Sequence, residues 1–294
     1  MRTLFGLNYF SGPEDFCRRQ QASIDSLASL PDSRVINLQF QDAPDTIPGL
    51  ELAAELRRDA PGVTGRPGPR KPLTGELFGL LARKAAALGY ERFAFLNSDI
   101  IVTPRALAAA DECRQSNAWV FARTDFDLPG HSRPTVLPYG QDFFMIRTEW
   151  WLANERRFRD YILGERIWDN VYTAILLCHA NGVLLEEAGC NWHERHPMVE
   201  GVSPFGEYLR LLATLDAPYF SLWANFCEAR LRARAAGATP AEERELQARC
   251  FRWHPSPQAV AFQWLRATNA RWRYFWRRSA GPRPNAPTPS SGRV

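Results

Sequence analysis

Apolar and polar positions fall into alternating blocks along the first hundred residues. Thr3–Phe10 (TLFGLNYF) is an almost unbroken apolar and aromatic run, as a strand covered on both faces requires. Ser11, Gly12 and Pro13 break it. Glu14–Leu30 begins with acids, contains few breakers and is followed by Pro31, which predicts a helix. Arg34–Phe40 is a second short strand. Residues 59–75 hold four Pro and four Gly and read as a long loop. Glu76–Leu88 is a helix closed by Gly89. Arg92–Leu96 (RFAFL) is a third strand, ending in Asn97-Ser98-Asp99 and followed by the apolar triplet Ile100–Val102.

The middle of the chain mixes strands with one strong helix. Ala118–Ala122, Asp142–Ile146 and Val183–Leu185 are strand-like. Asp169–Asn181 carries Val171, Ala174, Ile175 and Cys178 at helical spacing and stops at Gly182. Beyond residue 200 the pattern is helical over Phe205–Leu215, Phe220–Ala236 and Pro240–Phe251. The last sixteen residues contain four Pro and almost nothing apolar, which predicts a disordered tail. Strand–helix alternation predicts an α/β fold with a largely parallel sheet flanked by helices. Ligands of such folds bind at the carboxyl ends of the strands, where Asn8-Tyr9 and Asn97-Ser98-Asp99 sit.

Composition narrows this little. The 294 residues are 45% apolar and 23% charged, which is ordinary for a globular chain and excludes global disorder. Six Cys are too sparse for a disulfide framework, so free thiols in a reducing cytoplasm are expected. No run reaches the length of a membrane span, and the amino terminus lacks the pattern of a signal peptide. A net charge of +4 does not by itself imply nucleic acid. One segment stands apart: Arg266–Arg278 holds five Arg, four aromatics and no acid. With its lead-in, Phe262–Arg278 suits an interfacial helix on an anionic membrane, an Arg-and-stacking contact to nucleic acid, or a helix that docks its aromatics on the core with Arg outside.

Several polar groups could carry chemistry, each with a plainer alternative. Asn97-Ser98-Asp99 offers hard oxygen ligands for Mg²⁺ or Mn²⁺, or forms an Asx turn. Trp168-Asp169-Asn170 opens the strong helix: Asp169 is a general base beside a Trp168 platform for a sugar ring, or the group caps the helix. His193 and His196 are candidate ligands to a catalytic divalent ion, or loop histidines; adding Cys190 gives a C-x₂-H-x₂-H zinc pattern that lacks a second ligand pair. Asp142 starts an aromatic strand and either bonds an acceptor hydroxyl or ends a turn. Arg70-Lys71 in the Gly/Pro loop can reach a diphosphate or stay solvated. No nucleophile elbow, P-loop or Gly-rich dinucleotide fingerprint is present.

Four segments, in order, resemble the GT-A-like glycosyltransferases, the nucleotide-diphospho-sugar transferase fold of bacterial polysaccharide assembly. FAFLNSDIIVTP resembles the strand with the Asp-x-Asp-type motif, and GQDFFMIR the strand entering the acceptor side. GERIWDNVYTAILL resembles the segment opening the catalytic helix, and HERH the late His-x-x-His. CRRQQASIDSL is similar to the group's first helix. The resemblance covers residues 1–200, followed by a helical extension over 201–278 and the tail 279–294. It implies transfer of a sugar from a nucleotide-sugar to an acceptor hydroxyl of a glycan or lipid-linked substrate, with inversion. It places Asp169 as base, Asp99 and His193 on a divalent ion with His196 as substitute, and Asn8 and Tyr9 at the nucleotide base. Lys71, Asn97 and Ser98 then belong to the donor site, and Asp142, Trp168 and Asn170 to the acceptor side. A cytoplasmic enzyme at the inner face of the membrane, touching it through 262–278 and binding no nucleic acid, is the expectation. Asn97 departs from the motif, whose first acid it replaces, and this bears on metal dependence. The rival reading is a non-catalytic relative that binds a nucleotide-sugar or glycan as a partner subunit.

Overall fold

A computed structural model describes residues 1–127, 135–196, 203–252 and 257–279. Nine strands form one sheet: β1 (Thr3–Leu7), β2 (Ser33–Phe40), β3 (Glu51–Leu56), β4 (Arg92–Leu96), β5 (Ile100–Val102), β6 (Ala118–Phe126), β7 (Thr135–Arg147), β8 (Val183–Leu185) and β9 (Asn191–Glu194). Their order is β3-β2-β1-β4-β7-β6-β9-β5, with β8 also on β6. The first four run parallel. β7 is antiparallel to both β4 and β6 and turns the sheet from its parallel half to its mixed half.

Two apolar cores sandwich this sheet, and the strands feed them alternately, as a two-residue side-chain period demands. Phe93 and Phe95 of β4, Val120 of β6 and Phe144 and Ile146 of β7 enter one core. There they meet Leu77, Phe78 and Leu81 of helix α3 (Thr74–Ala87) and Val171, Tyr172 and Ile175 of α6 (Trp168–His179). Ala94 and Leu96, Trp119 and Phe121, and Phe143 and Met145 enter the other. That face is covered by α1 (Glu14–Ala28) and α4 (Pro104–Glu112). Gly6 in the middle of β1 favours this close packing: a Cβ there would lie 2.6 Å from a Leu81 methyl of α3, which would have to shift.

The expected strands and helices are present, and further elements appear, β5 and β9 among them. Inside the expected loop 59–75, α2 (Ala60–Thr64) forms, capped by the Asp59 carboxylate on the Gly62 amide at 2.8 Å and closed by Gly65 at φ 65°. The edge strand β3, reading ELAAEL, has helix-like composition and becomes a strand only by pairing with β2. α4 is announced by Thr103-Pro104, with the Thr103 hydroxyl capping the Arg105 amide. α5 (Thr148–Asn154) follows β7 directly.

The carboxyl-terminal helices are α7 (Gly206–Leu215), α8 (Ala217–Ala235), α9 (Pro240–Cys250) and α10 (Pro257–Ser279). α8 and α9 set Trp223, Phe226 and Leu246 against Ala174 and Leu177 of α6. The helical extension is thereby seated on the helix that carries Asp169. All six cysteines are free thiols. Among the described residues no helix is long and apolar enough to cross a membrane. The tail expected over 279–294 lies outside the described residues from 280 onward.

Candidate active site

Sheet register assembles the centre of the site. His193 of β9 sits opposite Ile100 of β5 and beside Asp125 of β6. Asp99, one residue before β5, therefore reaches the same point as His193. The Asp99 Oδ2 atom lies 3.5 Å from Nε2 of His193 and 3.2 Å from Nε2 of His196. The ligand atoms of these three residues all lie within 4.8 Å of one another. Burial alone would raise the Asp99 pKa, but the two imidazoles outweigh it and hold the carboxyl below the usual range.

The other nitrogen of His193 is fixed as well. Nδ1 faces Oδ1 of Asp125 at 3.0 Å, leaving Nε2 turned towards Asp99. A carboxylate behind a ligating imidazole sets its tautomer and raises its basicity. One carboxylate and two imidazoles, backed in this way, fit a divalent ion with open positions, and the imidazoles suit Mn²⁺ better than Mg²⁺. Cys190 is not part of the set: it is 1% exposed in the core, and burial pushes its thiol up to about 11.

A network of polar groups leads from this cluster to Asp142, whose charge acts on Asp169 at the start of α6. Arg123 of β6 lies 2.9 Å from Asp125 through Nε and donates to Asp142 Oδ2 through Nη1 at 2.8 Å. Asp142 owes its position to an irregularity: Phe121 pairs with Phe143 and Ala122 with Gln141, so Asp142 is the extra residue of a bulge. Bulges re-aim side chains beside sites in this way. Asn97 donates to Asp142 Oδ1 at 2.7 Å, and its amide donates to the Asp142 carbonyl at 3.0 Å. Both carboxylate oxygens of Asp142 are thus engaged. Burial raises the Asp142 pKa against the pull of Arg123.

Asp169 occupies the first turn of α6, and Asn170 donates to its carboxylate at 3.3 Å. Burial, reinforced by the charge of Asp142, pushes Asp169 up to about 7. The residue before the helix, Ile167, holds φ 90°. A β-branched residue there costs about 1–3 kcal/mol, strain that the packing around α6 sustains. The expected sugar platform is not formed. Trp168 is 4% exposed and packs edge-on against Phe78 and Tyr172, so its ring lies in the core beneath Asp169.

The remaining expected residues lie around this centre. Asn8 donates to the Leu38 carbonyl at 2.7 Å, and the Tyr9 amide donates to Asn37 Oδ1 at 3.1 Å, so both tie the end of β1 to β2. Ser98 is buried in the turn before Asp99. Lys71 is ion-paired with Glu165 at 2.7 Å, across the bridge between Leu73 and Ile162. Residues that sequence reasoning missed are Arg123 and Asp125, whose signal is alternating polar positions at the end of an apolar strand. Arg18 was missed too; it grips Glu194 with two bonds of 2.9 and 2.6 Å and ties α1 to the strand of His193.

No protein-family model matches the chain, and no curated protein matches it. Among solved structures it is similar to S. aureus TarS 1–349 in complex with UDP, with a TM-score of 0.48 and 12% identity over 96% of this chain and 92% of that chain. The same protein with UDP-GlcNAc gives 0.45 and 15% over the same shares. A chain from Desulfovibrio desulfuricans G20, described as a nucleotide-diphospho-sugar transferase, gives 0.34 and 13% over 71% of this chain and 85% of that one. Four parallel strands in the order β3-β2-β1-β4, an antiparallel β7 beside them and a polar motif at the end of β4 give this chain the mixed, helix-flanked α/β sheet that the resemblance to GT-A-like folds implies.

Proposed function

We propose that this chain transfers a sugar from a nucleotide-sugar donor to an acceptor hydroxyl, with inversion, in glycan or polysaccharide assembly. One arrangement carries the reading: Asp169, half-buried in the first turn of α6, feels the charge of Asp142, which Arg123 ties to the Asp125–His193 pair beside a cluster suited to a divalent ion. A group that ionises near pH 7 combines readiness to accept a proton with availability of its basic form.

Asp169 accepts the proton of the acceptor hydroxyl as that oxygen bonds to the anomeric carbon. The bond from this carbon to the diphosphate oxygen breaks, and the nucleoside diphosphate leaves with the electron pair. Asn170 orients the carboxylate, and Arg123 and Asn97 hold Asp142 so that its charge sustains the basicity of Asp169. Asp99, His193 and His196 would hold a divalent ion, which would neutralise charge on the departing diphosphate. Asn8 and Tyr9 flank the nucleotide base, and Lys71 lies on the loop bordering the donor side. The acceptor is a glycan or a lipid-linked sugar, and the reaction takes place in the cytoplasm at the inner face of the membrane.

Asn97 favours a second reading, a non-catalytic relative that only binds nucleotide-sugar, because it lowers the negative charge expected of a metal motif. A thermal-shift screen separates the two. UDP-, GDP-, TDP- and CMP-sugars are tested with and without Mn²⁺, on the wild type and on Asp99→Ala. Stabilisation by one nucleotide class that needs Mn²⁺ and vanishes in Asp99→Ala, with release of nucleoside diphosphate once acceptor is added, supports transfer. Binding without turnover under any acceptor supports the second reading. Stabilisation independent of both Mn²⁺ and Asp99 removes the role given to Asp99.

A further inference from the structure

Helix α10 faces the wrong way for a helix docked by its aromatics. Its inner side, towards α7, is formed by Gln263, Ala267, Ala270 and Tyr274, all half-buried. Gln263 donates to the carbonyls of Thr214 and Leu215 at 2.8 and 3.2 Å, and the Tyr274 ring lies 6.1 Å from that of Tyr208. Four large apolar side chains point outward. Trp264, Leu265, Trp272 and Phe275 are 66, 59, 64 and 61% exposed. At 3.6 residues per turn these four, with Ala261 and Thr268 between them, fall on one arc of roughly 100° running along the helix.

Charge lies to either side of this arc. Arg271 projects from one edge, while Arg266 and Arg273 lie farther round the other flank, past Asn269, along the groove against α7. No acid occurs between Pro257 and Ser279, where the sequence also holds Arg277 and Arg278. Arg271 and Arg273 make no ion pair among the described residues. An outward apolar stripe on a helix whose charged groups are all guanidinium is complementary to an anionic bilayer. Indole and phenyl rings enter at headgroup depth, and the flanking Arg side chains reach up to lipid phosphates. A second copy of the same face would oppose Arg to Arg, which charge complementarity disfavours.

We infer that α10 seats this protein on the surface of an anionic membrane, lying in the interface plane without crossing it. The inference rests on α10 alone and is independent of the transferase reading.

Co-sedimentation of the full chain with phosphatidylglycerol/phosphatidylcholine vesicles, against pure phosphatidylcholine, tests it. Binding to the anionic vesicles, weakened by added salt and accompanied by a blue shift of tryptophan emission, is expected. Replacing Trp264, Trp272 and Phe275 together by Ser leaves the melting temperature in place, because these side chains are exposed, and weakens binding by about tenfold or more. Arg271→Gln with Arg273→Gln removes the preference for anionic lipid. No binding to anionic vesicles, or equal binding by the triple variant, overturns the inference. So does concentration-dependent dimerisation that the triple variant abolishes, which would assign the stripe to a second copy. Binding to single-stranded oligonucleotide in place of vesicles overturns it as well.

Discussion

Asn97 donates from Nδ2 to Oδ1 of Asp142 at 2.7 Å, so the residue standing where the metal motif has its first acid is the partner of another acid. An aspartate at 97 would set two carboxylates against each other in a buried setting. Asn97→Asp is therefore expected to destabilise the protein by about 2 kcal/mol or more near neutral pH. One of the two acids would keep its proton, so the folded state would bind more protons than the unfolded one above pH ~4, and stability would fall as pH rises from there. Urea midpoints of variant and wild type, compared at acidic and alkaline pH, check this. An equal loss at both would show that charge is not the cause.

Asp169 carries a matching pH signature. Its folded pKa of about 7 exceeds the ordinary carboxylate value, so its contribution is full at acidic pH and is lost as pH climbs to about 7. Asp169→Asn removes that loss and is expected to be more stable than the wild type at alkaline pH, by about 2 kcal/mol or several degrees of Tm. If Asp169 is the base, wild-type transfer rises with pH through about 7, and the variant loses about 10²–10⁴ in kcat. Calorimetry and a pH–rate profile provide the two readouts.

Asp125 is the residue behind His193. Asp125→Asn keeps the shape but weakens the anchoring of Nδ1, and is expected to reduce affinity for Mn²⁺ by about 10–100-fold. Titration followed by electron paramagnetic resonance measures it. Circular dichroism confirms that the fold persists, so that a drop in affinity reports the site.

Phe78 is the hub of the core beneath α6, with ring centroids 5.0 Å from Phe95, 5.2 Å from Trp151 and 5.4 Å from Tyr172. Phe78→Ala is expected to cost about 3–5 kcal/mol by leaving a cavity there. Its urea midpoint tests this, and Phe78→Leu should recover most of the loss.

Local pattern carried far along the sheet. Arg92–Leu96 and Val183–Leu185 are strands as read, because an apolar run between breakers has few other ways to be buried. Gly89 closes α3 at φ 69°, as a glycine after a helix should. β3 was not legible, because ELAAEL prefers helix until a neighbouring strand supplies hydrogen-bond partners. Trp168 was misplaced for a related reason: an aromatic beside a charged residue looks like a binding surface until the helix direction shows which way it points.

For the site, the residue types were visible and their relations were not. The sequence by itself determined that strands alternate with helices, that polar clusters cap apolar strands at Asn97–Asp99, and that Asp169 opens a strong helix. These follow from periodicity and end signals, which act over a few residues. Only the tertiary structure decided that Asp99 meets His193 and His196, about a hundred residues away, because that meeting depends on the register of β5 and β9. It also decided that Asp142 is bulged towards Asn97 and that α10 turns Trp264 and Trp272 outward. Register, burial and facing are set by long-range pairing, and a pKa follows from them, so neither can be read before the sheet has closed around the residues it brings together.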